Sequence, residues 1–189
     1  MAHPDLGRQP DNRPHRCHTG AAPVPHRSRT ATAPQPPRPN AGRAAAAVAA
    51  KEGQGFSLPV RDSWTRQDPP GGEVAYVDPS ELVGLRINIV QFAGSDPLRH
   101  WQQTEEAQTR RDNPGYERVR MDPTTFRGRT AGYWEFTFDG KKRKYRAVEL
   151  AFSGADGTQY VIYLSAPDAR WNTYRPVFDT AVKGIRLDA

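Results

Sequence analysis

Two hydrophobic periods divide the chain from residue 56 onward. Phe56, Leu58 and Val60 alternate with polar neighbours, the pattern of a strand with one buried face, and Trp64 lies just beyond them. Val74–Val77 reads as a further strand, Asp78-Pro79-Ser80 as a turn, and 85–92 as another strand, so the opening third predicts a meander. The period then lengthens. Ser95-Asp96-Pro97 supplies a capping side chain before a proline suited to the first helical turn, and the spacing predicts a helix over 97–112 with Leu98 and Trp101 on one face. Arg110 and Arg111 in its last turn complement the helix dipole, and Asn113-Pro114-Gly115 stops it.

Strands return at 116–121, 130–138, 144–152 and 158–165. Trp134, Phe136 and Phe138 share one face of the second of these, which makes Trp134 a core anchor, and Val148, Leu150 and Phe152 are in phase on the third. Asp139-Gly140 predicts a type I′ hairpin turn, and Asp156-Gly157 a second reversal. The closing segment opens at Ala166-Pro167-Asp168 and becomes a helix in which Tyr174, Val177, Phe178, Ala181 and Val182 follow a 3.6-residue period. Gly184 ends it, and 185–187 forms a last short strand or tail. The fold class this implies is α+β: an antiparallel sheet of about six to eight strands covered by two helices.

Composition changes the picture only at the N-terminus. Residues 1–51 hold 8 of the 27 Lys and Arg but 2 of the 21 acidic residues, and so carry the whole net charge of +6. The remainder has 19 of each sign and is neutral, so nucleic acid is not an expected partner of the globular part. The first 51 residues also contain 9 of the 18 prolines and no Phe, Tyr or Trp, leaving little to offset the entropy of ordering. Residues 1–52 are therefore expected to be a disordered tail or linker, with Ala44 to Ala50 at most a transient helix, and 53–189 the α+β domain. No apolar stretch there fits a secretory signal, and no run of 18 apolar residues predicts a transmembrane segment.

Reactive chemistry is sparse. Cys17 is the single cysteine, and its His15-Arg16-Cys17-His18 setting is read as chance neighbours in a basic tail, so no metal and no cofactor are expected. His100 is the single histidine after residue 51 and is expected on a solvated helix face, as are Glu105 and Glu106. Gly53-Gln54-Gly55 lacks the third glycine of a dinucleotide fingerprint and precedes a strand. Two candidate binding features remain. One is the basic patch Lys141, Lys142, Arg143 and Lys144, suited to phosphates or anionic headgroups or else to guarding a strand edge. The other is the entrance of the closing helix, where Arg170, Trp171 and Tyr174 would combine aromatic surface with a forked donor for a carboxylate or phosphate. A carboxylate-based enzyme would have to use strand residues such as Glu135 or Glu149, and an interaction protein could act through the basic tail.

Several stretches carry a family resemblance. Gly55-Phe56-Ser57-Leu58-Pro59-Val60 with Trp64, Pro123-Thr124-Thr125-Phe126-Arg127-Gly128, Trp134-Glu135-Phe136-Thr137, Arg170-Trp171 and Val177-Phe178-Asp179-Thr180 together resemble the C-terminal extracytoplasmic domain of actinobacterial receptor-like serine/threonine protein kinases. That domain is similar in fold to the PsbP/Mog1-like group. The resemblance implies a PsbP/Mog1-like sandwich acting as a non-catalytic, sensor-type module outside the membrane, with a small molecule, a cell-wall fragment or a protein as partner. The kinase and its membrane helix are not in this sequence, and residues 1–51 are expected to be either a linker remnant or a stretch read from a wrong start or frame.

Overall fold

The computed structural model describes residues 48–52, 55–90 and 96–188. The readings of Cys17 and of residues 1–47 lie outside the described residues. The first described element is a strand, β1 (Val48–Glu52), which pairs antiparallel with β2 (Phe56–Arg61) from Val48↔Arg61 to Glu52↔Ser57. The expected boundary at residue 52 therefore falls at the end of a strand, and Ala49 and Ala50 belong to a ladder, not to a transient helix. Alanine has little strand preference of its own; the ladder bonds to β2 decide the conformation.

The remaining strands are β3 (Thr65–Gln67), β4 (Val74–Val77), β5 (Gly84–Val90), β6 (Glu117–Phe126), β7 (Arg129–Asp139), β8 (Lys144–Ser153), β9 (Gln159–Pro167) and β10 (Arg186–Leu187). Seven of them form one antiparallel sheet in the order β3-β4-β5-β9-β8-β7-β6, and β2 lies between β1 and β10 in a separate three-stranded sheet. The predicted opening meander is thus corrected: β4 and β5 are hairpin neighbours, whereas β2 leaves for the second sheet. Both sets alternate in hydrophobicity, and periodicity alone does not say which edge a strand joins.

Each face of the large sheet buries a different helical element. On one face lies the larger core, where Phe56, Leu58 and Val60 of β2 meet Leu85, Ile87, Val148, Leu150, Phe152, Ile162 and Leu164. It is completed by Trp171, Tyr174, Val177, Phe178 and Ala181 of α3 (Trp171–Gly184), the face that the 3.6-residue period marks. On the opposite face the stretch 97–112 covers Met121, Trp134, Phe136, Ala147 and Ala151. That stretch is α1 (Pro97–His100), a π-helical turn (Trp101–Glu105) and α2 (Glu106–Asp112) in succession. Asp96 caps it by accepting from the Arg99 amide at 3.1 Å, and Pro97 occupies the first turn as expected. The π turn was not legible in the sequence. Trp101 is buried at its start, with its ring 5.5 Å from that of Trp134.

The hairpin turns differ from expectation in kind. Asp139-Gly140 does not form a two-residue turn: Asp139 pairs with Lys144, leaving a four-residue loop closed by Gly140 N donating to Arg143 O at 2.9 Å. Glycine is needed there for room, since a Cβ would fall 2.7 Å from the Tyr145 ring. The tight turn is instead Arg127-Gly128, with φ of 51° and 76°, between the paired Phe126 and Arg129. Arginine rarely takes that conformation; here its guanidinium donates to the Ile185 carbonyl beyond α3. No helix among the described residues is long and apolar enough to cross a membrane.

Candidate functional site

The end of the β8–β9 ladder brings the two sequence candidates together. Tyr145 pairs with Pro167 and Arg146 with Ala166, so the loop before β8 and the turn after β9 leave the sheet side by side. Between them is a recess of about 380 Å³ lined by Lys142, Arg143 and Lys144 from the loop and by Pro167, Asp168, Ala169 and Arg170 from the turn. The turn is one 3₁₀ stretch (Asp168–Arg170) leading into α3, so the helix begins later than the predicted start. β9 holds on to Pro167 because its ladder bonds to β8 continue that far.

Lys141 to Lys144 and Arg170 are all exposed. Lys144 is compensated by Glu117 at 3.0 Å, and Asp139 and Asp168 add to the field that raises its pKa. Among the described residues Lys142, Arg143 and Arg170 form no ion pair; the Arg170 guanidinium lies 5.5 Å from the centre of the Tyr174 ring. The aromatic half of the predicted site is not at the rim. Trp171 and Tyr174 are each 7% exposed and belong to the larger core. Their place follows from the α3 period: position 171 is on the same stripe as 174, 178 and 181. The Tyr174 hydroxyl donates to Asp78 at 3.2 Å, and the Arg146 guanidinium sits 5.3 Å over the Trp171 ring. Trp171 thus belongs to the core, and Arg170 to the lining of the recess.

The two strand carboxylates lie on opposite faces of the sheet. Glu135, buried at 7% exposure, accepts from Arg146 Nε at 2.7 Å and from the Tyr133 hydroxyl at 2.7 Å on the α3 side. Glu149 lies on the other side, in register between Trp134 and Tyr163. Burial, reinforced by the nearby Glu105, pushes its pKa up to about 8. Glu105 itself pairs with His100 at 3.1 Å, five residues back across the π turn, so His100 is half-buried and engaged where a solvated position was expected. Glu106 also departs from the expected solvated face. It is 6% exposed and accepts from Tyr116 at 2.7 Å and from Arg118, whose Nε is 2.6 Å away. Burial alone would raise its pKa, but Arg118, Tyr116 and Arg110 hold it below the usual carboxylate range. Tyr116 in turn accepts from Trp134 Nε1 at 3.2 Å, which ties α2, β6 and β7 together. The partners lie 10 and 12 residues beyond Glu106 on another element, and local sequence gives no sign of them.

Comparison with known proteins bears on the part of the chain from β1 onward. A family model described as the serine/threonine kinase C-terminal domain matches residues 48–187, beginning where β1 begins. No curated protein sequence matches the chain. Among solved structures it is similar to cyanobacterial PsbP (CyanoP) from Synechocystis sp. PCC 6803, with TM-score 0.55 and 16% identity over 78% of this chain and 96% of that one. It is similar also to the Ran-binding protein Mog1p of Saccharomyces cerevisiae, with TM-score 0.56 and 12% identity over 76% of this chain and 96% of that one. The fold is therefore PsbP/Mog1-like, an antiparallel sheet with helices on both faces.

Proposed function

The chain belongs to the serine/threonine kinase C-terminal domain family, and on that premise we propose that it is a non-catalytic, sensor-type binding domain whose ligand seats in the recess between the basic loop and the entrance of α3. The observation that carries this reading is the convergence of the two segments: Lys142 to Lys144 and Arg170, 26 residues apart from Lys144, line one concavity. Exposed cations, of which Lys142, Arg143 and Arg170 have no ion pair among the described residues, set on the ends of a rigid ladder, are positioned to grip an anionic group without a conformational change. A small molecule, a cell-wall fragment or the acidic surface of a protein supplies such a group. That the similarly folded Mog1p is a Ran-binding protein supports a protein partner as one of these. We place the domain outside the cytoplasmic membrane on the strength of the family resemblance.

The test is a thermal-shift screen of the full chain against metabolites and cell-wall fragments, followed by Arg170→Ala. A hit whose stabilisation is lost in Arg170→Ala, with the unliganded Tm unchanged, supports the recess. A hit that binds Arg170→Ala and the unaltered chain alike places the site elsewhere. One observation favours a second reading, a carboxylate-based enzyme: the raised pKa of Glu149, which is the property of a general acid or base near neutrality. Turnover of any substrate that is abolished in Glu149→Gln would support that reading over the first.

A further inference from the structure

We propose that the ligand of the recess is a dianionic phosphate monoester, and that Thr137 and Arg146 form the inner end of its site. This deepens the reading above and rests on it. The charge around the recess sets the first condition. The lining cations Lys142, Arg143, Lys144 and Arg170, with Lys141 next to them in the loop, stand against Asp168 of the lining and the Glu117 and Asp139 carboxylates that act on Lys144, five charges against three and so an excess of two positive charges. A dianion neutralises that excess; a monoanion leaves half of it. Arg143 and Arg170 bring forked donors that match phosphate oxygens in pairs. Asp168 lines the same recess and would accept a hydroxyl of the ester's carrier, which favours a phosphorylated polyol over a bare ion. The volume of about 380 Å³ fits a small head group.

The second condition lies one step further along the sheet. Asp139 pairs with Lys144 at the edge of the recess, and two residues inward on the same face Thr137 pairs with Arg146. Thr137 is 7% exposed, and its hydroxyl has no hydrogen-bond partner among the described residues. A buried hydroxyl in that state costs free energy that a ligand oxygen would recover. Arg146 spends its Nε on Glu135 at 2.7 Å and rests on the Trp171 ring, while its Nη groups make no hydrogen bond among the described residues. An unpartnered donor and an unspent guanidinium edge therefore stand side by side behind Lys144, on the side of the sheet that carries Arg170.

The experiment is an amide chemical-shift titration of the full chain at constant ionic strength with glycerol 3-phosphate, with inorganic phosphate and with a glycerol phosphodiester. Glycerol 3-phosphate is expected to give saturable shifts over 142–144, at Thr137 and over 168–170. The diester, with one charge, should bind roughly tenfold more weakly, and monoester affinity should rise as pH passes the second phosphate pKa near about 6. Thr137→Val should keep the fold and weaken the monoester roughly 3- to 10-fold, with Thr137→Ser restoring it. Equal binding of monoester and diester, with shifts still at the recess, overturns the dianion assignment and leaves the recess in place. Monoester shifts at the loop and helix entrance that are indifferent to Thr137→Val overturn the inner end. Saturable shifts that map to neither segment overturn the phosphate assignment and the recess together, and no saturable shift with any of the three overturns the phosphate assignment alone, because a hit from the thermal-shift screen sensitive to Arg170→Ala would still locate the recess.

Discussion

Replacing Glu149 by glutamine should stabilise the protein, and only on the alkaline side of its range. In the folded state the carboxyl is wedged between Trp134 and Tyr163 in the sheet and faces Glu105, so its pKa rises from 4.5 to about 8. In the unfolded chain it titrates at the ordinary value. Below about pH 4 both states hold the proton and Glu149 carries no penalty. As pH rises through the interval between the two pKa values the unfolded state ionises first, so stability falls; above about pH 8 both states are ionised and the whole penalty is present. Full conversion of the shift gives an upper limit near 5 kcal/mol, and water access to a half-buried side chain reduces it to roughly 2–4 kcal/mol. Glutamine copies the protonated acid in shape and charge. Denaturant unfolding of Glu149→Gln and the parent at about pH 4, 6 and 9 should therefore give coincident curves at the lowest pH and a gap that widens by roughly 2–4 kcal/mol at the highest. Glu105→Gln should narrow part of the same gap by removing the neighbouring charge. A stability difference that is the same at all three pH values would refute the reasoning, because it would mean that Glu149 ionises alike in both states.

Other substitutions probe the two cores and the division between core and recess. Trp134→Ala removes a side chain that is 1% exposed and leaves the Tyr116 hydroxyl without its donor, so it should cost about 3–5 kcal/mol in urea unfolding; a near-neutral effect would mean that β7 is turned over. Glu106→Ala strips the acceptor from Tyr116 and from Arg118, whose side chain is 43% exposed, and a loss of about 1–3 kcal/mol is expected for removing hydrogen bonds to a charged group; no loss would place Glu106 in solvent. Trp171→Ala should lower the Tm markedly while Arg170→Ala leaves it within a degree or so, since one side chain is core and the other exposed. Equal effects of the two would contradict that division.

What could be read from the sequence was the local pattern. The α3 stripe of Tyr174, Val177, Phe178, Ala181 and Val182 was legible because five neighbouring apolar positions repeat on one face of one element. The inward face of β7 was legible for the same reason, as was the Asp96-Pro97 helix start. Pairing between distant segments was not. β5 joins β9 across some 70 residues, and β2 goes to a second sheet, because both choices are made by packing of surfaces that look alike in periodicity. The turn at Asp139-Gly140 misled because its glycine is required by the Tyr145 ring and not by a left-handed backbone. At the candidate site the residue types were visible but their orientation was not. Trp171, flanked by Arg170 and Asn172 at a helix entrance, reads as either a groove residue or a core residue, and its phase on α3 sends it inward and leaves Arg170 outside. Thr137 carried no signal of a binding role: an alternating threonine in an aromatic strand looks like any other, and its hydroxyl's lack of a partner among the described residues sets it apart.

The central claim is that the basic loop and the entrance of α3 make one site. Affinity for glycerol 3-phosphate, measured by the same shift titration on Arg170→Ala and separately on a chain with Lys142 and Arg143 both changed to alanine, tests it most directly. The two sets line one recess, so both changes should weaken binding of the same ligand, each by roughly 1–3 kcal/mol, the scale of a hydrogen bond to a charged group. A ligand that loses its affinity with the loop cations and is indifferent to Arg170→Ala, or the reverse, would contradict the account.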